Sequence, residues 1–191
     1  MLLLVFRGKI AREFLKRRFE KGPALKRLRE MFFEASTEIL DPDEFIVRFR
    51  EDLRECKDHV VILSPFLNLN AVKKFTSFVE VKKAIEKGVK ICVITRPPKK
   101  GEIFEKSLNE HEKCIEYLKN FGLKVIERAK FHFKTVIIDA KIIYIGSINP
   151  LSVTTITYVP ADYMLRFVSE CLVDEIIEKA ISQEEYQKYL E

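Results

Sequence analysis

Two runs of apolar, mostly β-branched residues, Thr135–Ile138 and 142–145, stand on either side of Asp139-Ala140-Lys141. Apolar runs of this length around a short polar break predict a β-hairpin. With Asp139 and Ala140 as the turn residues, the pairing places Ser147 directly across from His132. Side chains alternate along a strand, so His132 and Lys134 share one face and Phe131 and Phe133 the other. An imidazole, an ammonium, the Ser147 hydroxyl and the Asn149 carboxamide are groups that packing does not need there. Gly146 allows another group to approach the backbone closely. Such a set suits an anionic phosphate.

The rest of the chain supplies a frame for the hairpin. Residues 9–35 show helical spacing of apolar residues, broken near Gly22-Pro23. Asp41-Pro42-Asp43-Glu44 starts a helix that reaches about residue 57. Strands are expected over 60–63, 89–95, 123–126 and 162–168. Helices are expected over 71–87, with Gly88 as the closing cap, over 102–120 and over 170–180; Ser182 starts a last one. Strand-helix repetition followed by a hairpin predicts an α/β fold, a mixed, largely parallel sheet with helices on both faces, preceded by a basic helical segment. The expected division is a 1–40 extension and a 41–191 catalytic domain. Ligands of such sheets collect at the carboxyl ends of the parallel strands. That makes Ser64, Arg96, Lys99 and Lys100 candidate substrate-binding residues.

Charge narrows the partners. The chain carries a formal net charge of +5, while residues 1–35 alone hold ten Lys and Arg against four Glu. A basic excess confined to one segment suits a polyanion. No run approaches a membrane span, and the apolar block 1–6 is too short for a secretory leader. An intracellular, cytoplasmic protein is expected, with a membrane role disfavoured. The four cysteines stand apart, without metal-ligand spacing, and read as buried thiols. No metal and no cofactor are expected.

His132-x-Lys134, four residues, Asp139, six residues, then Gly146-Ser147-x-Asn149 resembles the HKD signature of the phospholipase D superfamily. The resemblance implies a phosphodiesterase in which His132 is the nucleophile and forms a phospho-histidine. Lys134, Asn149 and Ser147 would then hold the phosphate. Asp139 belongs to the motif, yet its position in the turn points to a structural role. Many members carry a Glu about a dozen residues after the Asn; here the nearest acid is Asp162, a candidate for orienting His132. An HKD site uses two histidines, one attacking and one exchanging protons. This chain has one copy of the motif, so the resemblance implies a homodimer with a shared site.

The stretch from Gly146 to Ser152 followed by 162–167 is also similar to PLD-like domains found beside helicases and repair enzymes. A nuclease acting on DNA or RNA, with a helicase or repair partner, is the favoured reading. A phospholipase D or phosphatidyltransferase is one alternative. A catalytically degenerate nucleic-acid-binding dimer is the other.

Overall fold

The computed structural model describes residues 36–152 and 162–191. The expected basic helix over 9–35, the apolar block 1–6 and residues 153–161 lie outside them. Residues 36–40, grouped above with the N-terminal extension, form β1 (Ser36–Leu40), an edge strand of the sheet. Helix α1 (Pro42–Glu55) follows. The Asp41 carboxylate accepts from the backbone N–H groups of Asp43 and Glu44, and Glu44 returns the bond to Asp41 N. That reciprocal cap satisfies donors the helix leaves unpaired.

Next come β2 (His59–Leu63), α2 (Leu69–Ser77), α3 (Val79–Glu86), β3 (Lys90–Thr95), α4 (Leu108–Asn120) and β4 (Lys124–Glu127). The hairpin is β5 (Thr135–Ile138) and β6 (Ile142–Gly146). The described chain then resumes before β7 (Met164–Val168), α5 (Glu170–Ile176), a π-turn at Ile177–Ile181 and α6 (Gln183–Leu190). The helix expected over 71–87 is two helices, broken at Phe78, whose φ and ψ are −61° and 131°. The Thr76 and Ser77 hydroxyls donate to carbonyls of the preceding turn, which favours a break. The helix expected from residue 102 starts instead at Leu108, after a 3-10 turn at Glu105–Ser107.

The sheet is mixed, in the order β1-β7-β6-β5-β2-β3-β4. β2 pairs with β3 and β3 with β4 in parallel, and β2-β5, β5-β6 and β6-β7 are antiparallel. Helices cover both faces. Val60, Ile62, Val93, Val136 and Tyr144 pack with Phe45, Phe49, Leu53, Val72 and Leu118 of α1, α2 and α4. Alternation turns Val61, Ile94, Ile137 and Ile143 the other way, where Val173, Ile177, Tyr186 and Tyr189 are also buried.

A buried polar network joins the antiparallel half to α1. Asp52 accepts from Tyr144 Oη and from two nitrogens of Arg166, at 2.7 and 2.8 Å. Arg166 also donates to Glu38 of β1, which accepts from Arg48 as well.

The hairpin register differs by one residue from the expected one. Asp139 and Ala140 do hold the turn, each with φ of 51°, and Lys141 N closes it on Ile138 O. Lys141 is a third loop residue, however, and its carbonyl accepts from Ser169 N on the β7 side. Ile138 therefore pairs with Ile142 and Thr135 with Ile145, so Ser147 is not directly across from His132.

Candidate active site

Strand register gathers one set of chain ends. Leu63, the last residue of β2, pairs with both Ile94 of β3 and Thr135 at the start of β5. Gly146, the last of β6, pairs with Met164, the first of β7. The segments carrying Ser64, Arg96, His132, Lys134, Ser147, Asn149 and Asp162 therefore leave the sheet along one edge. A Cβ at Gly146 would collide with the Tyr163 carbonyl oxygen. The close approach expected at this glycine is thus made by the β7 lead-in. Ser147 fastens the same lead-in: its N–H donates to Tyr163 O and its Oγ accepts from Tyr163 N, both at 3.0 Å.

His132 is exposed, on the four residues before β5, whose first member, Phe131, is buried. Lys134 Nζ lies 3.0 Å from His132 Nε2 and 3.2 Å from His132 O. An ammonium can only donate, so Nε2 presents its lone pair to it and the ring proton sits on Nδ1. The positive charge of Lys134, helped by burial and by Arg96, lowers the His132 pKa below its ordinary value. Burial and Arg96 also lower the Lys134 pKa, while the Asp162 carboxylate opposes them.

Arg96 is the connecting side chain. Its Nε donates to Phe131 O at 2.8 Å and its Nη1 to Glu102 O at 3.1 Å. Its guanidinium lies over the Phe66 ring, 5.1 Å from the centroid. His111 holds the main chain beneath it: Nε2 bonds Arg96 O at 2.9 Å, and Nδ1 accepts from Leu67 N at 3.3 Å. Burial keeps the His111 pKa below the usual histidine value, although the bond to Arg96 O opposes this. Nothing local in the sequence marks His111 as a support, since its partners lie on other loops.

Asn149 is positioned from behind. Ser152 N donates to Asn149 O, Asn68 N donates to Leu151 O, and Leu151 N donates to Ser64 Oγ at 3.2 Å. Ser64 is fully buried and donates to Phe66 O. Its hydroxyl therefore joins two loops. The Asn149 Oδ1 is buried without a hydrogen-bond partner among the described residues, an acceptor left unsatisfied. Lys99 and Lys100 are exposed, and Lys100 lies 3.5 Å from Glu105.

Asp139 stands at the opposite edge of the sheet, next to the Ile138–Val60 pair. Its carboxylate accepts from the backbone N–H groups of Lys57, Asp58 and His59 and from Cys56 Sγ. The other two histidines are buried. His59 has both ring nitrogens engaged, by Asp58 at 2.6 Å and Tyr186 Oη at 2.7 Å. Three of the four cysteines are buried as expected; Cys171 is exposed instead.

A family model described as cardiolipin synthase, PLD-like domain, matches residues 49–154. The chain belongs to this PLD-like family. Its members are phosphodiester hydrolases and transferases. The matched span takes in Arg96, His132, Lys134 and Asn149 and stops short of Asp162. Among solved structures, the PLD-like chain is similar to Nuc of Salmonella typhimurium, a phospholipase D family member. Identity is 16%, the match covers 81% of this chain and 95% of that one, and the TM-score is 0.57. NucT from Helicobacter pylori matches at 14% identity over 82% and 99%, with a TM-score of 0.55. Phosphatidylserine synthase of Haemophilus influenzae Rd KW20 matches at 12% identity over 81% and 39%, with a TM-score of 0.53. At these identities the shared property is the fold. No curated protein sequence matches the chain. Among the described residues, no helix is long and apolar enough to cross a membrane.

Proposed function

We propose that the chain hydrolyses phosphodiester bonds of nucleic acid at a site shared by two copies, with His132 as nucleophile. The observation that carries this reading is the contact between Lys134 Nζ and His132 Nε2, 3.0 Å apart on an exposed edge beside Arg96. It supports a neutral imidazole whose lone pair faces the position an anion would take. A phosphate entering there draws Lys134 and Arg96 onto its non-bridging oxygens and frees Nε2.

Nε2 then attacks phosphorus. An N–P bond forms as the bond to the leaving oxygen breaks. That oxygen needs a proton, and the chain's other histidines are buried with their ring nitrogens bonded. The partner subunit's His132 is the group left to donate it. The same imidazole then takes a proton from water as the water oxygen attacks phosphorus and releases His132. One phosphodiester and one water give one phosphomonoester and one alcohol. The two imidazoles titrate as a pair, one neutral and one protonated. Lys99 and Lys100, exposed beside Arg96, supply phosphate contacts without base specificity.

The test is incubation in EDTA with single-stranded and duplex DNA, RNA and phosphatidylcholine, beside the variant His132→Ala. Cleavage of nucleic acid that persists in EDTA and vanishes in the variant is expected. Choline release without strand cleavage transfers the activity to lipid, and binding without turnover removes the catalytic claim.

A further inference from the structure

The described residues expose six large hydrophobic side chains. Ile39, Val47 and Val79 belong to β1, α1 and α3. The other three are aromatic and border the candidate site: Phe104 is 69% exposed, Tyr163 47% and Phe133 41%. Phe133 lies between His132 and Lys134, and Tyr163 is bonded through its backbone to Ser147. Phe104 stacks on Phe66 at a centroid distance of 6.1 Å and an interplanar angle of 20°. Phe66 in turn lies under the Arg96 guanidinium. One arginine therefore links an exposed aromatic stack to the carbonyl of the residue before His132.

The stack is held in place. Ile103, next to Phe104, is buried. Glu102 N and Ile103 N both donate to Lys99 O, Arg96 grips Glu102 O, and Lys130 N donates to the Glu102 carboxylate. Ser107 N closes on Phe104 O at 2.8 Å. A fixed aromatic face flanked by Arg96, Lys99 and Lys100 has the composition of a nucleic-acid stacking surface, with flat rings for bases and cations for the backbone.

Resting on the hydrolase reading above, we propose that Phe104, backed by Phe66, stacks an unpaired base beside the phosphate that His132 attacks. The substrate is then single-stranded nucleic acid. A duplex keeps its base faces covered and has none to offer the ring.

Binding is measured on full-length His132→Ala, where turnover is blocked, so the result does not depend on cleavage. The probes are an oligothymidylate, an abasic deoxyribose-phosphate oligomer of the same length, a blunt duplex, and vesicles of phosphatidylcholine and phosphatidylglycerol. The oligothymidylate is expected to bind roughly tenfold more tightly than the abasic oligomer. Adding Phe104→Ala or Phe104→Leu is expected to abolish that difference, while Phe104→Trp keeps it. Circular dichroism shows that each variant is folded, and the leucine variant retains apolar bulk without a flat ring. Equal binding of the two oligomers by the parent, or an unchanged preference in the leucine variant, overturns the proposal. So does a loss of vesicle binding alone, or dissociation of a dimer by Phe104→Ala with the base preference intact. Base-dependent binding without His132-dependent cleavage in the wild-type chain upholds the platform and removes the hydrolase reading. His132-dependent cleavage indifferent to bases and to Phe104 removes the platform alone.

Discussion

Lys134 Nζ stands 3.0 Å from His132 Nε2, and its charge is the largest influence holding that imidazole below the ordinary histidine pKa. A lowered pKa in a cationic group means that the neutral form persists to more acidic pH. The His132 ring of the free protein is expected to titrate below 6.5 by NMR. In Lys134→Met the titration moves up. The acidic limb of kcat/KM moves up with it, and the rate falls by roughly 10²- to 10³-fold. An unmoved histidine titration in that variant contradicts the coupling.

Asp139 is placed to hold the fold. Burial raises its pKa, but the N–H groups of Lys57, Asp58 and His59 outweigh burial and keep the carboxyl below the usual range. Asp139→Ala leaves those donors without an acceptor and is expected to cost about 2–4 kcal/mol. kcat of the folded variant should stay unchanged. Because the folded-state pKa is depressed, this contribution is complete above the unfolded value of 3.8 and is lost as the pH falls through the depressed one. Urea unfolding at neutral pH and near pH 3 checks both statements.

The network around Asp52 predicts unequal costs for neighbouring changes. Asp52→Ala takes two hydrogen bonds from the buried Arg166 guanidinium and leaves it the one to Glu38, and is expected to cost about 3–5 kcal/mol. Tyr144→Phe removes one hydrogen bond from a carboxylate that keeps two others, and about 1–2 kcal/mol is expected. Thermal melts of the two variants that reverse this order would contradict the assignment of Asp52 as the hub.

Thiol reactivity gives a direct reading of packing. Burial pushes Cys56, Cys92 and Cys114 each up to about 12, with Asp139 adding to the effect at Cys56. Cys171 is exposed. One fast thiol is expected with Ellman's reagent in native buffer, and four after unfolding. Two or more fast native thiols would show that the core opens.

Local pattern made much of this legible. The β-branched runs around Asp139 marked the hairpin, and the Asp41-Pro42 start marked α1. What escaped notice depends on partners far along the chain. Lys141 has the pattern of a ladder residue, yet it is the third residue of the loop, and the register moves by one. Nothing local to Ser64 shows that Leu151 donates to it from 87 residues away. Phe78 interrupts an apolar periodicity that runs unbroken through residues 71–87. Phe104, between Ile103 and Glu105 in sequence, gave no local signal, and only its stacking on Phe66 sets it apart.

The proposed hydrolysis requires one catalytic centre formed by two His132 side chains. Wild-type chain and His132→Ala, co-expressed or refolded together in equal amounts, provide the direct measurement through the initial rate of strand cleavage per total protein. A shared centre loses activity in every mixed dimer, so about a quarter of the wild-type rate is expected. A rate of about half, proportional to the wild-type chains present, would contradict the claim.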